Sequence, residues 1–220
     1  MRTSTVKDLS FWKKQLGRVP DSVWENTDLE TLVLAENGLA EVPEQIETLK
    51  RLRMLDLGHN VLRSVPESVG DLDGLTDFLY LHDNRLASLP ASMGKLTRLR
   101  YLNISKNQFT TLPEAVSAMD NLIELSAEDN QITLIPDSVW RLSRLRELHL
   151  RNNQLSSLPE SIGKLRELRQ IDLRSNPLVS LPASIASLHR LEKLDLRWVE
   201  TLAMPEWISE LEKRGCMVYR

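Results

Sequence analysis

The chain has 220 residues, 41% hydrophobic and 27% charged, with 8 glycines and 10 prolines, a balance that describes a folded chain and excludes disordered or collagen-like classes. Its formal net charge of −3 provides no overall field to draw it to nucleic acid or to an anionic membrane, so neither is an expected partner. No stretch approaches the ~20 apolar residues of a spanning helix, and Cys216, the single cysteine, has no partner for an internal disulfide and reads as intracellular, reducing surroundings.

The opening stretch, MRTSTVKDLSFWKKQLGRVP, has no apolar run of the kind a secretory leader needs. From there onward prolines stand at positions 20, 43, 66, 90, 113, 136, 159, 182 and 205, a spacing of 23 residues broken once by 24. Asparagines keep the same beat at Asn37, Asn60, Asn84, Asn107, Asn130, Asn153 and Asn176. The first unit, 6–28, holds Val6, Leu9, Phe11, Leu16, Val19, Pro20 and Val23 with Lys14 in the asparagine place, and is expected to be a degenerate N-terminal cap.

Seven regular units fill 29–190. The clearest contains Leu145, Leu148, Leu150, Asn153, Leu155, Leu158, Pro159, Ile162 and Leu165. Leu148 and Leu150 alternate as in a strand with one buried face. Pro159, Ile162 and Leu165 follow at the spacing of a short helix, with the proline expected in its first position. The unit around Asn84 carries one extra residue between Leu72 and Leu79, which predicts a bulge near Phe78, either tolerated drift or a device that re-aims a side chain. The last unit, 191–220, has Leu191, Leu194, Leu196, Met204, Pro205 and Ile208 with Val199 in the asparagine place, and Cys216 to Tyr219 then repeat the strand register as a closing strand. Residues 1–220 are therefore expected to form one domain with both ends capped.

A unit of this length cannot bury its own apolar edge, so units must stack and share one core. The asparagine stands where the chain leaves the strand, and its amide is suited to satisfy backbone groups of neighbouring turns that would otherwise be buried unpaired. The pattern L-x-x-L-x-L-x-x-N-x-L-x-x-L-P-x-x-I-x-x-L-x-x resembles the 23-residue leucine-rich repeats of the intracellular Ras-binding and plant Ras-group class, which also occur in bacteria. The resemblance extends over almost the whole chain. It implies an α/β leucine-rich repeat solenoid: a curved right-handed superhelix with a parallel sheet on its concave face and short helices or 3-10 turns on its convex face. It also implies binding of a protein or peptide, such as a small GTPase or a host or bacterial signalling protein; a monomeric, non-enzymatic module without cofactor is the expectation from the residues themselves. The alternative is the targeting part of a larger effector, ligase or signalling protein, with delivery into a host cell left open.

In such a scaffold the strict positions build the core, and the variable strand positions point out of the concave face. Two patches emerge there. Met54, Phe78, Tyr80, His82 and Tyr101 would expose apolar and aromatic surface, the residue types that anchor protein interfaces. Arg151, Arg174, Arg197 and Trp198, beside Asp172 and Asp195, make a charged second patch, and a lattice that holds neighbouring strands in register is the other account of it. Ser126, His149 and Asp172 share one column in successive units and imitate a hydrolase triad, but an open sheet offers no oxyanion donors and no water-excluding pocket. His59, His82 and Asp83 are read as surface residues and no metal is expected, there being no Cys-x-x-Cys or His-Glu-x-x-His spacing. Trp24 and Trp140, each closing a Pro-Asp-Ser-Val-Trp run, are expected to pack along the convex side.

Overall fold

A computed structural model describes residues 6–220. Ten strands of three residues follow one another: Asp8–Ser10 (β1), Thr31–Val33 (β2), Met54–Asp56 (β3), Phe78–Tyr80 (β4), Tyr101–Asn103 (β5), Glu124–Ser126 (β6), Glu147–His149 (β7), Gln170–Asp172 (β8), Lys193–Asp195 (β9) and Met217–Tyr219 (β10). They form one sheet in chain order, each parallel to the next. The middle residue of every strand from β2 to β9 is buried, while its two neighbours point to the other face, as the two-residue period of a strand requires.

The connections explain the prolines. All nine contain a short 3-10 or α turn, which the proline directly precedes in eight, and in all nine the proline carbonyl accepts the amide three residues on, as from Ile162 to Pro159 at 3.1 Å. The expected place of the proline is therefore corrected by one residue. It stands ahead of the turn in extended conformation, with φ −70° and ψ 149° at Pro159, and the helical turn is Glu160–Lys164. An extended proline fits because its ring already fixes φ near this value and the missing N–H has no acceptor to serve. Among the described residues only Glu114–Ser117 (α1) and Ile208–Lys213 (α2) are α-helical. Leu145, Leu148, Leu150, Leu155, Ile162 and Leu165 all point into one continuous core and are fully buried. Trp24 joins that core, whereas Trp140 lies on the surface beneath the cationic ends of Arg141 and Lys164.

The extra residue of the 24-residue unit is absorbed immediately before β4. The carbonyls of both Thr76 and Asp77 accept amides of the next unit, from Arg100 and Tyr101, each at 3.1 Å. One unit further on, the single carbonyl of Arg100 takes both Ile123 and Glu124, at 2.8 and 3.2 Å. The bulge thus ends where β4 begins, and Phe78 stays in register with Met54 on one side and Tyr101 on the other.

Each asparagine of the column joins three stretches of backbone. Asn153 donates from Nδ2 to the carbonyls of Leu150 at 2.9 Å and Arg151 at 3.3 Å in its own unit, and to Ala127 at 2.9 Å in the unit before. Its Oδ1 accepts the Ile132 amide at 2.9 Å. The same set recurs from Asn37 to Asn176, all buried. Directly before each slot stands a left-handed residue: Lys13, Glu36, His59, Asp83, Lys106, Asp129, Asn152, Ser175 and Trp198 have φ between 52° and 59°. This turn swings the chain out of the strand while keeping its amide paired to the next unit, as from Lys106 to Glu128 at 2.8 Å. None of the nine is β-branched, in keeping with the steric cost of this region for such side chains.

Two stability measurements follow from these columns. Asn130→Ala leaves several buried backbone groups unpaired and is expected to cost about 1–3 kcal/mol in urea denaturation, where an unchanged midpoint would contradict the ladder. Lys106→Val is expected to be less stable than Lys106→Gly by about 1 kcal/mol or more, and equal midpoints would show that the left-handed turn imposes no constraint.

Candidate functional site

The three-residue strands present two parallel rows of outward side chains. Met54, Phe78, Tyr101 and Glu124 are successive cross-strand partners, as are Asp56, Tyr80, Asn103 and Ser126. The fold therefore brings together the predicted aromatic residues. Phe78 stacks on Tyr101 with ring centroids 4.7 Å apart and on Tyr80 at 5.8 Å, and Tyr80 meets His82 edge-on at 6.0 Å. His82 in turn meets the ring of His59 at 4.7 Å, and His59 Nδ1 lies 2.5 Å from Asp83. Each of Met54, Phe78, Tyr80, His82 and Tyr101 is half-buried, so the cluster offers surface and is also held by its neighbours.

One residue the sequence reading passed over is Gly58. A Cβ there would sit 2.4 Å from His82 Cε1, so the absent side chain is what lets the imidazole lie down on the sheet. The signal was present: Gly58 is the one residue without a side chain in the column that runs Trp12, Ala35, Gly58, His82. His82 Nδ1 is buried without a partner. Burial, and after it the nearby His59, holds this imidazole below the ordinary histidine range, which keeps it neutral at neutral pH. Burial, followed by the Asp56 and Glu124 carboxylates, pushes the Tyr80 hydroxyl above its ordinary range, so it remains an intact donor.

The charged patch has a different character, and the place expected for its aspartates is corrected. Asp172 is 6% exposed and Asp195 is 0% exposed, so both lie beneath the arginines and not beside them on the open face. Arg174 folds back onto Asp172, with Nη2 at 2.5 Å and Nε at 2.9 Å, and reaches Asp195 at 3.6 Å. Arg197 holds Asp195 through Nε at 2.9 Å and Nη2 at 2.7 Å. These forks satisfy the buried carboxylates and fix the guanidinium groups to the sheet. Arg151 is held more loosely, 3.6 Å from Glu128 and 3.4 Å from Asp129. Trp198 is 62% exposed and stands between Arg174 and Arg197, whose guanidinium carbons lie 6.0 and 5.5 Å from its ring.

The column that imitates a triad is not wired as one. Ser126 Oγ has Glu124 as its side-chain neighbour at 3.5 Å, and His149 Nε2 lies 3.3 Å from Glu147, so serine and histidine each turn along their own strand. Glu128, His149 and Asp172 do approach one another, with ligand atoms within 4.8 Å. Arg151 and Arg174 already occupy the two carboxylates, and these cations oppose a metal ion at that point.

Stacked strands, one shared core and an open sheet face define a repeat solenoid of the recognition type. The chain belongs to the leucine-rich repeat family: the family described as "Leucine-rich repeat region" matches residues 8–125 and 136–213. Its structure is similar to that of a leucine-rich repeat protein of Leptospira interrogans, at 26% identity and a TM-score of 0.74, over 94% of this chain and 64% of the other. It is also similar to the ectodomain of the Arabidopsis thaliana membrane receptor kinase GASSHO1/SCHENGEN3, solved in complex with Casparian strip integrity factor 2, at 30% identity and a TM-score of 0.78 over 92% of this chain and 25% of that one. The leucine-rich repeat domain of the type III effector XopL matches at 29% identity and a TM-score of 0.68, over 84% of this chain and 74% of that domain. The chain thus spans less than two thirds of the length of the first two. The search of curated proteins found no match. No helix among the described residues is long and apolar enough to cross a membrane.

The buried Asp195 makes a pH-dependent prediction. Burial alone would raise its carboxyl, but the Arg197 side-chain and backbone hydrogen bonds, aided by Arg174, hold it below the ordinary aspartate range. A depressed carboxyl stabilises the fold above its unfolded value of about 3.9, and that contribution is lost as pH falls through the folded value. In urea titrations Asp195→Asn is therefore expected to be less stable than wild type near neutral pH, with the gap closing as pH falls from about 5 towards 2. A gap independent of pH would contradict the assignment.

Proposed function

We propose that the chain recognises a protein or peptide on its concave sheet, with Phe78, Tyr80 and Tyr101 as the anchoring residues and Met54 and His82 at their margin. The observation that carries this reading is the continuous stack of three partly exposed rings on adjacent strands, an arrangement that costs solubility and adds nothing to the core the leucines already form. Aromatic anchors on a rigid support lose little entropy on binding. A relative of the same fold, the GASSHO1/SCHENGEN3 ectodomain, was solved with a bound partner, which supports recognition as the use of this architecture. Arg174 and Arg197 serve the scaffold first, because each covers a buried aspartate, and Arg151 and Trp198 are the charged-patch residues with freedom to meet a ligand. A reducing compartment is the setting that fits the single, buried Cys216.

The second reading is a targeting segment of a larger effector or signalling protein. It is favoured by the similarity to the XopL domain and by the length of the other relatives. Both readings place the contact on the same sheet.

The test is affinity capture from native lysate with cross-linking mass spectrometry, comparing wild type with a Tyr80→Ala, Tyr101→Ala variant of equal thermal stability. The expected result is a partner cross-linked beside β4 and β5 and lost from the variant, at least about tenfold weaker for the loss of two anchors. A partner held equally by both forms, or cross-linked to the convex turns, would overturn the assignment of the concave sheet.

A further inference from the structure

The carboxylates of the concave face are not all in the same state. From Glu36 to Asp195, those on the outward strand and post-strand positions have cationic or imidazole partners: Glu36 has Lys13, Asp83 has His59, Glu128 and Asp129 have Arg151, Glu147 has His149, and Asp172 and Asp195 have Arg174 and Arg197. Among the described residues between those bounds, Asp56 and Glu124 are the exceptions; Asp8, on the edge strand β1 two strands away from β3, also has no such partner. Asp56 accepts only the Gly58 amide at 2.9 Å, and Glu124 has only the Ser126 hydroxyl at 3.5 Å.

These two stand at opposite corners of the aromatic cluster. Asp56 is the cross-strand partner of Tyr80, and Glu124 that of Tyr101. Both lie close enough to the Tyr80 hydroxyl to act on it electrostatically. The cation set on these rings is Arg100, 5.7 Å from the centre of Tyr101, and it bonds neither carboxylate. An apolar shelf with an unneutralised anion at each end complements side chains that join an apolar stem to a cationic head, as lysine and arginine do. From β3 to β6 is three strand spacings, about 14 Å, a span an extended peptide covers in about four residues.

We propose, resting on the concave sheet being the recognition face, that the partner presents an extended basic segment whose two cationic side chains, about four residues apart, engage Asp56 and Glu124 while the apolar residues between them lie on Phe78, Tyr80 and Tyr101. The bound segment runs across the strands, along the axis of stacking. Its affinity falls with ionic strength, because the ion pairs form at a partly exposed surface.

The experiment pans a displayed library of random short peptides against wild-type protein, then measures the enriched peptides by fluorescence anisotropy. The comparison proteins are an Asp56→Asn, Glu124→Gln variant, which keeps shape and the Gly58 contact, and the Tyr80→Ala, Tyr101→Ala variant. The expected result is enrichment of paired basic residues flanking apolar ones, with binding about tenfold weaker or more for the amide variant and weaker at high salt. Peptides without paired basic residues, or bound equally by the amide variant yet lost from the alanine variant, would overturn this inference and leave the concave reading standing. A library that gives no binder, or binders indifferent to both variants, counts against both.

Discussion

A primary amide can donate twice and accept at once, and every turn of this solenoid uses that capacity at the point where a strand ends inside a dry core. Three residues of strand leave most of a unit's backbone without ladder partners, and the stacking that buries the leucines also keeps water away from those groups. Asn153 answers this by binding carbonyls of two units and an amide of the earlier one with a single side chain. A leucine there would fill the space and leave several polar groups unpaired. An aspartate would lose both donors. The column therefore locks each unit to the one before it, and this rigidity makes the outward strand positions a fixed grid.

Once the grid is fixed, neighbouring outward positions are dictated by strand spacing, and chemistry is set by which letters stand side by side. The two halves of the face use that freedom differently. At β8 and β9, charge is spent internally: Arg174 and Arg197 bend over buried aspartates and have little left to offer. From β3 to β6, rings stack across strands and two carboxylates stay without cations. On the proposed reading, this second stretch is the one a partner would complete.

Much of this was readable from the letters. Period, core and strand register follow from leucine spacing, because a residue that must be buried in every unit cannot vary. The aromatic cluster followed as well, since a column in a parallel stack converts directly into adjacency: residues in register on neighbouring strands, such as Phe78 and Tyr101, must touch. What was not legible depended on conformation along one strand. Asp172 and Arg174 are two apart, and pattern alone puts both on the open face; that the arginine folds back and closes over the aspartate is a matter of rotamer and of the depth of the sheet at β8. The left-handed residues escaped notice for the opposite reason. Lysine, glutamate, serine and tryptophan share no chemical property, and what unites that column is the absence of valine, isoleucine and threonine. The role of Gly58 likewise lay in a missing atom.

The arrangement of the strands has a consequence for how the molecule comes apart. In a globular domain the ends of the chain meet and every region is braced by distant ones, but here each strand pairs only with its predecessor and successor, in chain order from β1 to β10. Such an object behaves as a line of coupled units. Pairing runs only between successive units, so an opening that starts in one unit spreads to its neighbours as a moving front. The aromatic cluster on β4 and β5 lies inside this line, with paired strands on both sides. A ligand bridging β3 to β6 would act as a clamp across four adjoining units and hold back such a front.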